Sequence, residues 1–330
     1  MTDNSYWQSR LRAQIPRCQL PADTQLVFEG DDREVTITIL AAGADANMQS
    51  DSAAVEGWSL ALMSLCDVQR VRVRIPASTA KARHYERLLY RLARFGELFP
   101  DRVTLDGPGA DASLRVTSSS RVLNQPLGRE CAAVDEQDAR LASVNTDLQL
   151  ARSETALEKA LEVCQAMKTH FELEKLMRQW PVGLFDGRVS KHQHIFTGGK
   201  SAIDLLGIRG ETLFVFELKT FHNRKVGALT ELLFYACVMR DALGPTAEFQ
   251  FERPEAAKHC AVAPADIVNC RQIEAVLLAP RTHPVIADRR PFALLNAAAA
   301  QRWRDRPVHF LRAVLKGFDG RDFSIESVAD

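Results

Sequence analysis

The chain carries no net charge: over 330 residues, 42 Lys and Arg face 42 Asp and Glu. That balance removes the simplest signature of a nucleic-acid-binding chain, a globally basic composition, but leaves local charged faces open. No segment approaches the ~18 consecutive apolar residues of a transmembrane helix. The start, MTDNSYWQSRLRAQIPRCQL, has no apolar core behind a basic stretch. Neither a membrane span nor a secretory signal is therefore expected. The seven cysteines (18, 66, 131, 164, 237, 260, 270) include no CxxC pair. Such a scattered, odd set predicts reduced, mostly buried thiols in a cytoplasmic protein, and argues against a structural zinc site or a four-Cys iron–sulfur cluster. Repeats and low-complexity tracts are also missing. The 46% hydrophobic and 25% charged residues are those of a globular chain. Its length suits about two domains of ~150 residues.

The hydrophobic pattern divides at a polar stretch running from residue 118 to Gly128. Residues 1–128 predict a small α/β domain. Period-two alternation marks strands over 34–40 and 71–75, with short ones at 102–105 and 113–117. Helices are expected over 53–66 and 79–95, the second with Tyr85, Leu88, Leu89 and Leu92 inward. Its other side carries Arg83, Arg87, Arg91 and Arg94. Residues 129–330 predict a second α/β domain opening with a helix over 153–179, where Thr155 and Glu158 fit a capping box. Further strands are expected over 273–279 and 308–314, with a helix over 291–303.

The chemistry concentrates in TGGKSAIDLLGIRGETLFVFELKTFHNRKVGALTELLFYACVMRD, residues 197–241. Strands over 201–208 and 212–219 meet at a tight turn containing Gly210. Alternation puts Glu217 and Lys219 on one face, and the turn length brings Asp204 opposite them. Two carboxylates and an ammonium thus converge at the open end of a hairpin. Asp204, Glu217 and the Leu218 main-chain carbonyl are hard oxygen donors of the kind Mg²⁺ takes. Phosphoryl transfer needs charge neutralisation and an in-line water, and Lys219 can orient that water or offset developing charge. The other reading makes these three residues a structural ion pair on a strand.

Asp204 followed by Glu217-Leu218-Lys219 resembles the PD-(D/E)XK nuclease superfamily. This chain has Ile203 in place of the signature proline. Ser201 stands at the glycine of the GxxD element, and Glu231 at the glutamine of QxxxY, with Tyr235 completing it. The resemblance spans 153–315. It implies a restriction-endonuclease-like core, ordered helix, three-strand meander, helix, strand, with the first strand over 187–196. It also implies a helix glutamate, drawn from Glu154, Glu158, Glu172 or Glu174, with Glu174 nearest the hairpin in sequence. Glu231, Tyr235 and His222 are accessory candidates.

The resemblance implies a Mg²⁺-dependent nuclease, with Mn²⁺ as a substitute, acting on DNA as an endonuclease of restriction, phage-defence or repair type. A homodimer would suit double-strand cutting. The N-terminal domain would bind substrate or a regulatory partner. The competing expectations are a non-catalytic nucleic-acid-binding or scaffolding protein, and an effector nuclease switched on by a ligand. His192 and His194 share a strand face, where a polar surface competes with metal ligation. Gly198-Gly199-Lys200-Ser201 lacks the spacing of a phosphate loop. Charge is segregated: residues 70–94 hold eight bases and one acid, and residues 130–174 hold ten acids and four bases. Arg83, Arg87, Arg91, Arg94 and Lys200 are the expected phosphate contacts.

Overall fold

The computed structural model describes residues 3–78, 82–116, 121–127, 131, 153–196, 201–318 and 323–328. It is an α/β fold with mixed sheets. In the N-terminal half, helix α1 (Asn4–Gln14) is capped by the Asp3 carboxylate. Strands β1 (Leu26–Gly30) and β2 (Glu34–Ile39) form an antiparallel hairpin. Asp31 Oδ1 accepts the Arg33 and Glu34 N–H groups in its turn. Strands β3 (Arg70–Arg74) and β4 (Val103–Asp106) extend this sheet in parallel, in the order β1-β2-β3-β4. Val35, Ile37, Val71 and Val73 point into the core. Arg72 points outward and pairs with Glu34 and Asp106. Helices α2 (Ala41–Ala44), α3 (Val55–Leu65), α4 (Ala82–Leu98) and α5 (Ala110–Val116) complete the half. The strand expected over 113–117 is helix α5, since the chain turns at Gly107 (φ +87°) and continues through alanines.

Strand β5 (Arg121–Leu123) leads to the second half, which opens with helices α6 (Glu154–Val163) and α7 (Gln165–His170). Ser153, rather than Thr155, caps α6. The helix expected to reach residue 179 stops at His170, because Glu172 adopts φ +54° and redirects the chain. Residues beyond it form strand β6 (Lys175–Pro181). Strands β7 (Leu184–Asp186) and β8 (His194–Phe196) belong instead to a small sheet ordered β11-β5-β7-β8. The meander's first strand is therefore β6, and 187–196 is not part of it. Strands β9 (Ala202–Arg209) and β10 (Thr212–Leu218) follow, then helix α8 (Gly227–Ala242) and strand β11 (Phe249–Phe251). The chain closes with α9 (Pro264–Asn269), β12 (Gln272–Ala279), α10 (Pro284–Ala287), α11 (Arg289–Arg302), β13 (Val308–Phe318) and β14 (Phe323–Val328).

The main sheet runs β14-β13-β12-β10-β9-β6. Strands β6, β9 and β10 are an antiparallel meander, and β12 lies parallel to β10 after the α8 crossover. Its central strands β10 and β12 are buried on both faces, as expected of a sheet covered by helices on each side, whereas the edge strand β14 alternates between buried and exposed residues. One face packs Phe214, Phe216 and Leu278 against Leu157, Leu161 and Met167 of α6 and α7. The other meets α8 and α11, within an apolar cluster that also contains Trp58, Tyr90 and Phe95 from the N-terminal half. Polar ties cross the same boundary. Tyr90 donates to Asp241 at 2.6 Å, and Arg94 pairs with Asp241 at 2.7 Å. Cys131 and Cys260 are joined as a disulfide, against the expectation of reduced thiols throughout, while the other five cysteines are free and buried. A separation of 129 residues left no spacing signal for that pair. Among the described residues, no helix is long and apolar enough to cross a membrane.

Candidate active site

The β9–β10 hairpin is hydrogen-bonded from Arg209↔Thr212 to Leu205↔Phe216, where the ladder ends. Asp204 and Glu217 are the next facing positions. There the Asp204 carboxylate replaces the lost ladder: its Oδ2 accepts the Leu218 N–H at 2.7 Å. In a strand the N–H and C=O of one residue point to the same neighbour. The Leu218 carbonyl is therefore directed toward the Asp204 side as well. Lys219 N–H instead bonds Leu278 O, on the β12 side.

Lys219 is the electrostatic centre of the cluster. Its ammonium contacts Glu217 Oε1, lies 3.0 Å from Glu231 Oε2, and reaches Glu154 Oε1 at 3.6 Å. Helix α8 supplies Glu231 and, one turn later, Tyr235, whose hydroxyl lies 3.2 Å from Ser201 Oγ. Helix α6 supplies Glu154, held at 3.1 Å by Asn223, and Glu158, held at 2.6 Å by Gln179. Gln179 sits in β6 with φ +54°.

Negative charge is in excess here. Burial pushes Asp204 and Glu217 well above the usual carboxylate range, and each also feels neighbouring carboxylates. Burial likewise raises Glu158. Burial alone would lower Lys219, but Glu217, Glu231, Asp204 and Glu154 together outweigh it and hold the ammonium protonated. Glu217 Oε2 is buried and no N–H or O–H donor reaches it, while the Glu231 carboxylate lies against the Glu217 side chain. An orphaned buried carboxylate oxygen beside Asp204, among oxygen donors, is an environment that a hard divalent cation fits. Asp204, Glu217 and the Leu218 carbonyl are the residues that could hold one.

A cleft of about 530 Å³ opens onto this cluster. One wall carries Glu154, Glu158, Gln179, Asp204, Glu231 and Tyr235. The facing wall belongs to the N-terminal half, with Asn47, Met48, Gln49, His84 and Arg87. Glu217 and Lys219, only 1% and 2% exposed, lie outside the lining, in contact with Glu231 on the carboxylate wall.

The structure thus brings together Asp204, Glu217, Leu218, Lys219, Glu231 and Tyr235. It removes Glu174, whose Oε1 accepts the Gly210 N–H at 3.1 Å. That places Glu174 at the turn end of β9, six residues from Asp204, or about 20 Å of strand. Glu158 and Glu154 occupy the position expected of Glu174. Their i, i+4 spacing on a capped helix was the available signal. His222 is exposed, edge-on to Phe221, and does not line the cleft. The arginine face expected on α4 is not a solvated stripe. Arg91 is buried against Glu56 at 3.1 Å, and Arg94 against Asp241, Glu97 and Glu248. Of the four, Arg87 reaches the cleft, and the side chain of Arg83 and all of Lys200 lie outside the described residues. His194 Nδ1 bonds Lys191 O. Neither His192 nor His194 belongs to the His259 grouping with Cys131 and Cys260, whose two sulfurs are joined in the disulfide.

Comparison with models of known protein families, with curated proteins and with solved structures returns no match for this chain.

Proposed function

We propose that this chain is a metal-dependent phosphodiesterase, a nuclease whose reaction centre is Asp204, Glu217 and Lys219, assisted by Glu158 and Glu231. The observation that carries the reading is the opposed Asp204–Glu217 pair, with Asp204 lining the cleft and an unpartnered Glu217 oxygen buried behind it. The order α6, β6, β9, β10, α8, β12 further supports a restriction-endonuclease-like core. Asp204, Glu217 and the Leu218 carbonyl would hold Mg²⁺ or Mn²⁺, which would supply neutralisation of phosphate charge and a more acidic water.

The remaining roles fall to the chain's own groups. Lys219 stays an ammonium at neutral pH, so it acts as a fixed positive charge beside the reacting phosphate rather than as a base. Glu231 and Glu154 hold its Nζ in place. The Leu218 N–H fixes the Asp204 carboxylate through one oxygen, leaving the other for the reaction. Gln179 orients Glu158 at the cleft wall.

The test is cleavage of supercoiled plasmid, linear duplex and single strands with Mg²⁺, Mn²⁺ or a chelator. Metal-dependent cleavage is expected, and Asp204→Ala, Glu217→Ala and Lys219→Ala should each abolish it. Full activity of folded Lys219→Ala refutes the mechanism. One observation favours a second reading: the ammonium is enclosed by three carboxylates, as in a structural ion cluster of a non-catalytic protein. In that case Mg²⁺ would not raise the melting temperature.

A further inference from the structure

Arg87 is the outlier of its helix. Arg91 and Arg94, one and two turns further along α4, are each held by buried carboxylates. Among the described residues no carboxylate pairs with Arg87. Its guanidinium lies over the Phe234 ring at 6.0 Å and 3.4 Å from His84 Nδ1, which itself meets Ala46 O at 3.2 Å. Burial lowers its pKa to about 10, which leaves it charged at neutral pH. A charged guanidinium that lines the cleft, makes no ion pair and feels Glu231 only at longer range is a site for an incoming anion. Across the cleft stand Asp204 and Glu231.

The width of the cleft is set by packing between the halves. A Cβ added at Gly227, at the start of α8, would meet Gln49 O at 2.3 Å, so loop and helix are in backbone contact. The Tyr90–Asp241 and Arg94–Asp241 bonds fix α4 on α8. A space of about 530 Å³ falls within the ~300–1,000 Å³ of small-molecule pockets and matches nucleotide-sized groups. A duplex, two backbones across with its base pairs stacked between them, is far bulkier than a space of that volume.

We propose that Arg87 is the phosphate-binding residue of this cleft, and that the cleft takes a single-stranded nucleic-acid strand in preference to an intact duplex. This rests on the nuclease reading for the identity of the site. The phosphate bridges the two walls: Arg87 binds its oxygens as a two-pronged donor, and the Asp204–Glu217 side acts on the ester. The N-terminal half is then a substrate wall, and strand selection follows from its distance to α8.

The experiment is fluorescence anisotropy with the full chain in Ca²⁺, using end-labelled single strands of about 12 nucleotides, deoxy and ribo, and the matching duplex. Single strands are expected to bind at least ~10-fold more tightly than duplex; equal or tighter duplex binding overturns the strand preference. Arg87→Gln should weaken single-strand binding by ~10-fold and reduce the salt slope by about 0.7, the share of one phosphate. Wild-type affinity in folded Arg87→Gln overturns the assignment. Arg87→Lys keeps the charge and loses the fork, so it should keep the salt slope and weaken binding about 3-fold. If Arg87→Gln does not fold, unchanged affinity in Arg87→Lys overturns the assignment instead. Cleavage by the wild type, scored alongside, separates the two claims. Arg87-dependent binding without metal-dependent cleavage defeats the nuclease reading alone, and cleavage with Arg87-independent binding defeats this inference alone.

Discussion

Replacing Lys219 by methionine keeps most of the side-chain volume and removes the charge that Glu217, Glu231 and Glu154 surround. Breaking a buried ion pair by deleting one partner costs about 3–5 kcal/mol, because a carboxylate is left uncompensated. For a single cooperative transition of this length, 4 kcal/mol corresponds to a melting-temperature loss of ~6 °C. The pH dependence carries more information than the loss itself. Asp204 and Glu217 have folded pKa values above their unfolded ones. The folded state therefore holds more protons between about pH 4 and those values, and stability falls as pH rises through that window. Lys219 is raised, so its stabilising contribution is fully present below its ordinary pKa of 10.5 and constant between pH 5 and 8.5. In Lys219→Met a proton can replace the ammonium at low pH. The deficit should shrink from about 4 kcal/mol at pH 8 to about 1–2 at pH 5, and each proton taken up contributes up to ~1.4 kcal/mol per pH unit. Urea denaturation at pH 5, 6.5 and 8 measures it, with Lys219→Met/Glu217→Gln completing a double-mutant cycle. A deficit that is the same at all three pH values refutes the argument, since it would mean that loss of packing alone explains the cost.

Three further outcomes follow from the geometry. Glu158→Gln should lower metal-dependent cleavage by at least ~10-fold, whereas Glu174→Gln, at the far end of β9, should cleave like the wild type in the same assay. Arg94→Met should destabilise the fold by about 3–5 kcal/mol in urea, because Asp241 is fully buried against it; a loss below ~1 kcal/mol would mean that this cluster does not join the halves. Gly227→Ala should destabilise by several kcal/mol and impair cleavage together, since its Cβ would press on the Gln49 backbone beside the cleft. Loss of stability with unchanged kcat/KM would separate that contact from the site.

How much of this was legible in the chain varied with the range of the interaction involved. The Asp204–Glu217 opposition was readable because one tight turn at Gly210 fixes the β9–β10 register, and alternation does the rest. Glu174 was misplaced because sequence proximity to the hairpin was taken for spatial proximity. The left-handed residue Glu172 ends the helix early and sends β6 back along β9, which leaves Glu174 at the turn. The α4 arginines were misread because an amphipathic pattern presumes one wet face, whereas α4 is enclosed on both sides. The partners that make its charges affordable, Glu56 and Asp241, are 35 and 147 residues away from them. The loop at 47–49 offers no motif at all; it matters only through its contact with α8.

Two buried ionic clusters among the described residues differ in stoichiometry in a way that bears on function. Around Asp241, three guanidiniums (Arg94, Arg240, Arg306) meet Asp241, Glu97, Glu248 and Asp305, and the acids other than Asp241 are partly exposed to water. Such near-matched charges behave as a structural clasp. Around Lys219 a single ammonium serves Glu217, Glu231 and Glu154, with Asp204 and Glu158 close by. Each cluster leaves a buried carboxylate oxygen without a hydrogen bond, Glu217 Oε2 here and Asp241 Oδ1 there, so the difference lies in the ratio of charges. Desolvated like charges held this close oppose folding, and nothing in the core needs them, since Leu213, Val215 and Val276 already pack the sheet. A fold that leaves buried charge unbalanced beside its cleft while nearly balancing it around Asp241 concentrates its strain where a cation and a phosphate would relieve it. The uncompensated charge, more than the three-residue motif, is therefore the stronger argument that the cleft is a reaction site.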